Sequence, residues 1–428
     1  MHEKIMSEMR AREKSAGGNS TATATRLVTA EAVRAGHPDK FCDQFADMLL
    51  DEYLKSDPDT RAAIEVMAAD GRILAAGEVS SKASVDAERV LKRLCAKVGY
   101  TMEELSTDGS LTLEVRLNRQ SPDIAQALGS GEELGAGDQG IMVGYATDET
   151  PERMPLPVVL AQNICRRLDE SRIPWLRPDG KAQVTALYQD GKPAAVSAVV
   201  VSVQHDEDVS QETIQETIRE EIIRKAVPEE YLRAGTRMLI NPSGRFVLGG
   251  PAADTGLTGR KLAVDAYGPA AHTGGGAFSG KDPTKVDRAG AYAARWVARS
   301  IVDAGLAKRC EVQISYAIGR ALPASVEVNA FGTGVVSDEV LRKAVRRAFD
   351  LRPAALMEDE MHIKRQTVAA PLLTHGQLQR ELAYRVAMAT LKDMRAAGLV
   401  SGREFVRSAQ FIAERFSPVW GGLYPNSG

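Results

Sequence analysis

At 428 residues, with 44% hydrophobic and 26% charged side chains, the chain has a globular composition and is long enough for two or three domains. A net charge of −3 excludes the basic excess of a nucleic-acid-binding surface, and no apolar run reaches the length of a membrane span. Four widely separated cysteines and six histidines without ligand spacing give no sign of a zinc site or disulfide scaffold, so the cysteines read as core thiols of a cytoplasmic protein.

The first 25 residues are polar, carry Glu3, Glu8 and Glu13, and pass through Gly17-Gly18-Asn19-Ser20. They lack the apolar core of a secretory signal and read as a flexible leader. Residues 41–54 then have a helical pattern. Residues 61–79 form two β-prone runs around Asp70-Gly71, a two-residue hairpin signal, and a second helix is expected over 85–98. The same order of helix, hairpin and helix recurs at 155–171, 183–204 around Asp190-Gly191, and 210–227. In the last of these Ile214, Ile218 and Ile222 form an apolar stripe. It recurs more loosely at 287–306, 310–328 turning near Gly319, and 337–349.

An interval of roughly 120–130 residues is too long for a solenoid and points to repeated α+β units. Each unit would be a sheet covered by helices on one face, although three unrelated segments could share this grammar. The expected divisions are a leader at 1–25, α+β domains at 26–134, 135–248 and 249–376, and an atypical helical tail at 377–428. In the tail 378–397 and 402–416 read as helices with no assignable role.

Five stretches carry candidate chemistry. Gly36-His37-Pro38-Asp39-Lys40 stands just before the first helix, where free backbone N–H groups favour an anion. His37 and Lys40 can donate to phosphate oxygens and Asp39 can hold a metal; an ordinary capped helix start explains the same residues. Residues 135–140, GAGDQG, form a glycine-dense loop around Asp138, equally readable as a surface turn. Asp179 and Lys181 place a carboxylate and an ammonium before the second hairpin, although on spacing alone an ordinary Pro-Asp-Gly turn explains the same residues better. Arg260 and Lys261 follow glycines at 256 and 259, either as a phosphate clamp or as a solvated pair.

The richest stretch is 274–288, GGGAFSGKDPTKVDR. Its glycines allow close backbone approach to a ligand, Lys281, Lys285 and Arg288 supply cations, and Asp282 and Asp287 offer oxygens to Mg²⁺. Residues 275–281 fit G-x-x-x-x-G-K, but Asp282 stands where a P-loop needs Ser or Thr. A polyphosphate binder of another kind is expected.

In order along the chain, GHPDK (36–40), GAGDQGIMVG (135–144), LTGRK (257–261) and GGGAFSGKDPTK (274–285) resemble the S-adenosylmethionine synthetase family, as do 174–181 and 241–251. The similarity runs from about residue 26 to 352. It implies three βαβ-type domains around a pseudo-threefold axis and methionine adenosyltransferase activity on ATP and L-methionine. Two Mg²⁺ ions per site and K⁺ are the implied cofactors. The implied assembly is a homodimer or homotetramer with active sites at the subunit interface, and neither nucleic acid nor membrane is an implied partner.

By matching position, the resemblance makes His37, Lys181, Arg260 and Lys281 catalytic residues that also contact ATP. Asp179, Arg245, Phe246, Asp254, Lys261 and Ala277 complete the implied ATP site, and Glu78, Gln120, Asp138, Asp254 and Lys285 the methionine site. Asp39 and Asp287 are the implied Mg²⁺ ligands and Glu65 the K⁺ ligand. Residues 120–131 resemble the family's mobile gate. The chain departs from the pattern at Ala32, Ala35, Thr255 and Thr273, with His272 one place before the position where a His is common. A non-catalytic regulatory homologue, a synthetase acting on a methionine analogue and a P-loop NTPase are the alternatives.

Overall fold

A computed structural model describes residues 24–119, 134–357 and Arg395. The chain opens with β1 (Thr25–Val33), helix α1 (Pro38–Ser56), the hairpin β2 (Arg61–Ala69) and β3 (Arg72–Ser80), helix α2 (Ala87–Val98) and β4 (Thr112–Asn118). It continues with β5 (Gly140–Thr147), α3 (Leu156–Glu170), the hairpin β6 (Leu176–Gln189) and β7 (Lys192–His205), α4 (Gln211–Thr217) and β8 (Arg237–Ile240). The last part runs β9 (Gly256–Leu257), α5 (Val286–Asp303), the hairpin β10 (Arg309–Tyr316) and β11 (Ser325–Asn329), and α6 (Asp338–Ala348).

Asp70 and Gly71 both take positive φ, 36° and 73°, as do Asp190 and Gly191 at 49° and 77°. That paired left-handed conformation is what a two-residue hairpin turn requires. It sets Ala69 opposite Arg72 and Gln189 opposite Lys192. The third hairpin has no such dipeptide and turns through a longer loop containing Gly319.

Helices cover one face of each sheet. Phe41, Phe45 and Leu49 of α1 and Leu91 and Leu94 of α2 pack on Ile64, Val66 and Ile73. Leu160 and Ile164 of α3, with Ile214 and Ile218, pack on Val184, Val199 and Val201. Val297 and Ile301 of α5 and Leu341 of α6 pack on Val312 and Ile314. Each fully buried aliphatic or aromatic side chain contributes about 1.5–3 kcal/mol, so each sheet has a core of its own. Strand alternation leaves apolar side chains on the opposite faces: the cross-strand partners Met67 and Leu74 (42% and 36% exposed), Leu27 and Leu239, and Ile141.

The sheets do not follow chain order. Their strand orders are β4-β3-β2-β9, β1-β6-β7-β8 and β11-β10-β5. Thus β1 pairs with β6 in the second sheet, β5 with β10 in the third, and β9 with β2 in the first. Each third of the chain opens with a strand that joins the next hairpin's sheet, and the exchange closes in a cycle. The architecture is α+β with three domains. Divisions at 134/135 and 248/249 therefore separate segments of chain, whereas the sheets draw on two segments each.

The helical pattern over 210–227 is not one regular helix. After α4 the chain widens into a π-helical stretch, Ile218–Ile223, before Arg224–Ala226. This keeps Ile214, Ile218, Ile222 and Ile223 all buried. Among the described residues no helix is long and apolar enough to cross a membrane. Gln120 with the whole 120–131 stretch, and nearly all of the 377–428 tail, lie outside the described residues.

Candidate active site

Helix α1 begins at the 36–40 motif. His37 is its N-cap, with φ −61° and ψ 137°, and its Nδ1 accepts the backbone N–H of Asp39 at 3.2 Å. Pro38 holds the first helical φ and lacks the N–H that would have no partner there. Because Nδ1 accepts, the imidazole proton sits on Nε2. Burial, then the charge of Lys261, push the His37 pKa down to about 4, with Lys181 adding to the effect and Asp39 and Asp254 opposing it. His37 is therefore a neutral hydrogen-bond donor at pH 7.

Asp39 is buried, 2% exposed. Its Oδ1 accepts the N–H of Leu257 at 3.0 Å, its Oδ2 accepts from Lys261 Nζ at 2.6 Å, and Arg260 Nε stands 3.6 Å from Oδ1. Burial pushes this carboxyl up, but the Lys261 ammonium and the Leu257 N–H outweigh it and hold the pKa below the usual carboxylate range. Residues 257–261 reach Asp39 because β9 adds to the free edge of β2, Leu257 opposite Met67, with Thr258 N–H donating to Val66 O at 3.0 Å. The Thr258 hydroxyl donates to the exposed Glu65 carboxylate on the same strand.

The second basic loop lies along the same edge of β2. Lys281 bridges Ala63, Ile64 N–H donates to Gly280 O at 3.0 Å, and Asp282 N–H donates to Ala62 O at 3.2 Å. Lys281 Nζ then meets Asp287 Oδ2 at 2.6 Å in the first turn of α5. Gly276 packs against that carboxylate so closely that a Cβ would stand 2.3 Å from Asp287 Oδ1. The two basic loops touch each other as well: a Cβ on Gly259 would be 2.6 Å from the Cβ of Ala277.

Two residues do other work than their local motifs suggest. Asp282, offered by the sequence as an Mg²⁺ ligand, is fully buried; it accepts Ala62 N–H at 2.8 Å, Thr284 N–H at 2.9 Å and the Thr284 hydroxyl at 2.7 Å. Lys40, read as a phosphate donor, is held by Asp43 at 2.8 Å and by Asp265. The P-loop alternative also fails on geometry, because no strand runs into Gly274 and α5 starts only at Val286.

Lys181, whose charge also acts on His37, is delivered by the β1–β6 pairing, opposite Val33. Arg34 reinforces the junction, with Nε 2.8 Å from Asp169 Oδ1 and its Nη1 donating to Arg177 O. The Tyr100 hydroxyl donates to Gly36 O at 2.8 Å. Asp179 accepts Gly250 N–H at 2.8 Å, and burial raises its pKa. Phe246 exchanges two hydrogen bonds with His205, both 3.0 Å, and Arg245 pairs with Glu207. A cleft of about 660 Å³ opens beside this segment, lined by residues that include Tyr100, Arg177, His205, Glu207 and Leu248.

The implied methionine residues are less gathered. Glu78 sits on β3 opposite Ala63, the residue that Lys281 bridges. Lys285 pairs with Asp282 at 3.3 Å. The exposed carboxylates of Asp254 and Asp138 accept the N–H of Thr255 and Gln139. Among the described residues, no hydrogen bond or ion pair joins Asp138 or Arg245 to the cluster around Asp39 and Asp287. Nor, among those residues, do three or more His, Cys, Asp and Glu side chains converge there as they would around a chelated metal.

Three family models match in succession: the S-adenosylmethionine synthetase N-terminal domain over 25–122, the central domain over 133–246 and the C-terminal domain over 248–386. The chain belongs to the S-adenosylmethionine synthetase family. It is 49% identical over 354 residues to an S-adenosylmethionine synthase of Thermus thermophilus, covering 78% of this chain and 90% of that protein. It is 50% identical over 336 residues to the S-adenosylmethionine synthase of Myxococcus xanthus, covering 78% and 85%. The synthetase C-terminal model extends beyond residue 352, where the motifs give out. A SHOCT domain model matches 373–425, the tail to which the sequence alone assigned no role.

Sequence reasoning toward the synthetase site missed Arg34, Tyr100, Asp43 and Asp47. Arg34 and Tyr100 carry no local signal, since their partners are more than sixty positions away. Asp43 and Asp47 do carry one: with Asp39 they recur every fourth residue on α1.

Proposed function

We propose that the protein is a methionine adenosyltransferase that makes S-adenosylmethionine from ATP and L-methionine. The observation that carries this reading is the convergence of His37, Asp39, Arg260 and Lys261 with Lys281 and Asp287 on one edge of β2. The sulfur lone pair forms the S–C5′ bond while the C5′–O bond to the triphosphate breaks; the triphosphate leaves with the electron pair and sulfur becomes a sulfonium. A thioether has no proton to lose, so no general base is required. The barrier lies in negative charge building on the leaving group, where preorganised cations act most strongly.

Lys181, Arg260, Lys261 and Lys281 supply that charge, and neutral His37 gives its Nε2–H to an oxygen near the breaking bond. Water then cleaves the bound tripolyphosphate to pyrophosphate and phosphate in the same clamp. Asp179, Arg245, Phe246, Asp254 and Ala277 hold the nucleotide, and Glu78, Gln120, Asp138, Asp254 and Lys285 the methionine.

Asp39 and Asp287 fit Mg²⁺, which takes one or two carboxylates and leaves the rest of its shell to phosphate and water. The Gly276 cradle, which a Cβ would close, supports this at Asp287. Bound there, two Mg²⁺ ions supply neutralisation of the triphosphate. Glu65, exposed and hydrogen-bonded to the Thr258 hydroxyl, is the K⁺ ligand.

The assembly is a homodimer or homotetramer whose sites lie between subunits, supported by the uncovered apolar side chains of the three sheets. Light scattering on the wild type and on Met67→Lys tests it; a monomeric, active wild type contradicts it. Four free, buried cysteines suit a cytoplasmic protein. A single-turnover acid quench tests the chemistry. Tripolyphosphate and S-adenosylmethionine should appear together before pyrophosphate and phosphate, and ADP or AMP as the first product contradicts the scheme.

A further inference from the structure

Helix α1 presents three carboxylates at i, i+4 and i+8, and each receives a backbone N–H from one of the two basic loops. Asp39 takes Leu257 N–H at 3.0 Å, Asp43 takes Gly259 N–H at 3.0 Å, and Asp47 takes Gly280 N–H at 2.9 Å. Each also holds a cation. Asp39 pairs with Lys261 at 2.6 Å, Asp43 with Lys40 at 2.8 Å, and Asp47 with Arg288 at 2.8 and 3.3 Å. Lys40 also binds Asp265, and Arg288 Nη1 also donates to Lys281 O at 3.2 Å. The opposite face of the helix is anchored in the core through Phe41, Phe45 and Leu49, so the row of carboxylates has a rigid base.

We propose that Asp43 and Asp47 are positioning residues that hold the two phosphate-binding loops in one register from a single helix, acting through Gly259, Gly280, Lys40 and Arg288. This rests on the methionine adenosyltransferase reading above. Asp39 ends the row in the clamp itself, and the other two set where Arg260, Lys261 and Lys281 stand relative to one another. Polyphosphate recognition needs both loops at once, so loosening either should cost the same property. A misplacement of about 1 Å away from the chemistry is enough to lower a rate by roughly 10²-fold.

The test uses the full chain with Mg²⁺ and compares wild type, Asp43→Ala, Asp47→Ala, the double variant, Asp43→Asn and Asp47→Asn. Calorimetry reads binding of inorganic tripolyphosphate, and steady-state assays read kcat and the methionine KM. Each alanine variant should bind tripolyphosphate about 10–100-fold more weakly, with kcat reduced and the methionine KM within about twofold. The double variant should lose less than the product of the single losses, because both residues serve one clamp. The asparagine variants keep an oxygen for the loop N–H and should recover part of the affinity; they carry the test if an alanine variant does not fold.

Folded variants that bind tripolyphosphate as wild type does overturn the proposal. So does an equal loss of methionine and tripolyphosphate affinity alongside a fall in Tm, the mark of a merely structural role. A folded wild type that neither binds tripolyphosphate nor forms S-adenosylmethionine overturns the functional reading instead, and this proposal with it.

Discussion

The 3.2 Å hydrogen bond from Asp39 N–H to His37 Nδ1 decides what the imidazole can do. It caps α1, fixes the tautomer and leaves Nε2–H as the group available to a ligand. Asp39 then turns its carboxylate to Lys261 and Leu257, so neighbouring positions of one helix start hold a neutral donor and an anion.

The pH dependence follows from this capped imidazole. Its pKa of about 4, below the unfolded value near 6.5, means that the unfolded chain binds the extra proton between these limits. His37 therefore contributes stability that is fully present above pH 6.5 and is lost as pH falls toward 4, by about 3 kcal/mol at most. Between pH 6 and 8, kcat should show no ionisation belonging to His37. A kcat profile with an apparent pKa near 6.5 that disappears in His37→Asn contradicts this, as does an NMR titration placing the ring pKa above 6.

Lys281 pairs with Asp287 through its ammonium and stands where leaving-group charge develops. Lys281→Ala should lower kcat by roughly 10²–10³-fold, the cost of one charged donor in a preorganised site. Thermal unfolding should change little. Turnover near the wild-type rate removes Lys281 from the clamp.

Asp287→Asn keeps the size and shape of the side chain but removes its charge. The Mg²⁺ concentration needed for half-maximal rate should rise by about tenfold or more, the scale of one charge-assisted ligand contact. An unchanged Mg²⁺ titration takes Asp287 out of the metal site and leaves it as the partner of Lys281 alone.

Asp282 offers a contrasting case. Asp282→Ala strands the buried Ala62 N–H and leaves Lys285 without its carboxylate. Denaturant unfolding should show a loss of about 2–4 kcal/mol. A loss below about 1 kcal/mol would mean that the 281–285 turn relaxes and finds other partners.

The sequence was most legible where its signals are local. Asp70-Gly71 and Asp190-Gly191 announced two hairpins because a two-residue turn depends on its own dihedral angles. The exchange of β1, β5 and β9 was not visible, since alternation identifies a strand but not its partner across the chain. The same limit explains Lys40 and Asp282. Their residue types suit phosphate and Mg²⁺, but burial against Asp265 and Ala62 gives them structural roles instead. The π-helical stretch after Thr217 escaped notice because Ile214, Ile218 and Ile222 satisfy an α-helical stripe as well.

The most direct measurement is mass spectrometry of the purified protein incubated with ATP, Mg²⁺ and K⁺, with and without methionine. S-adenosylmethionine, pyrophosphate and phosphate in equal amounts, formed only when methionine is present, is the predicted result. ADP formed at the same rate in both reactions, with no S-adenosylmethionine, would contradict adenosyl transfer and reduce the clamp to a nucleotide hydrolase.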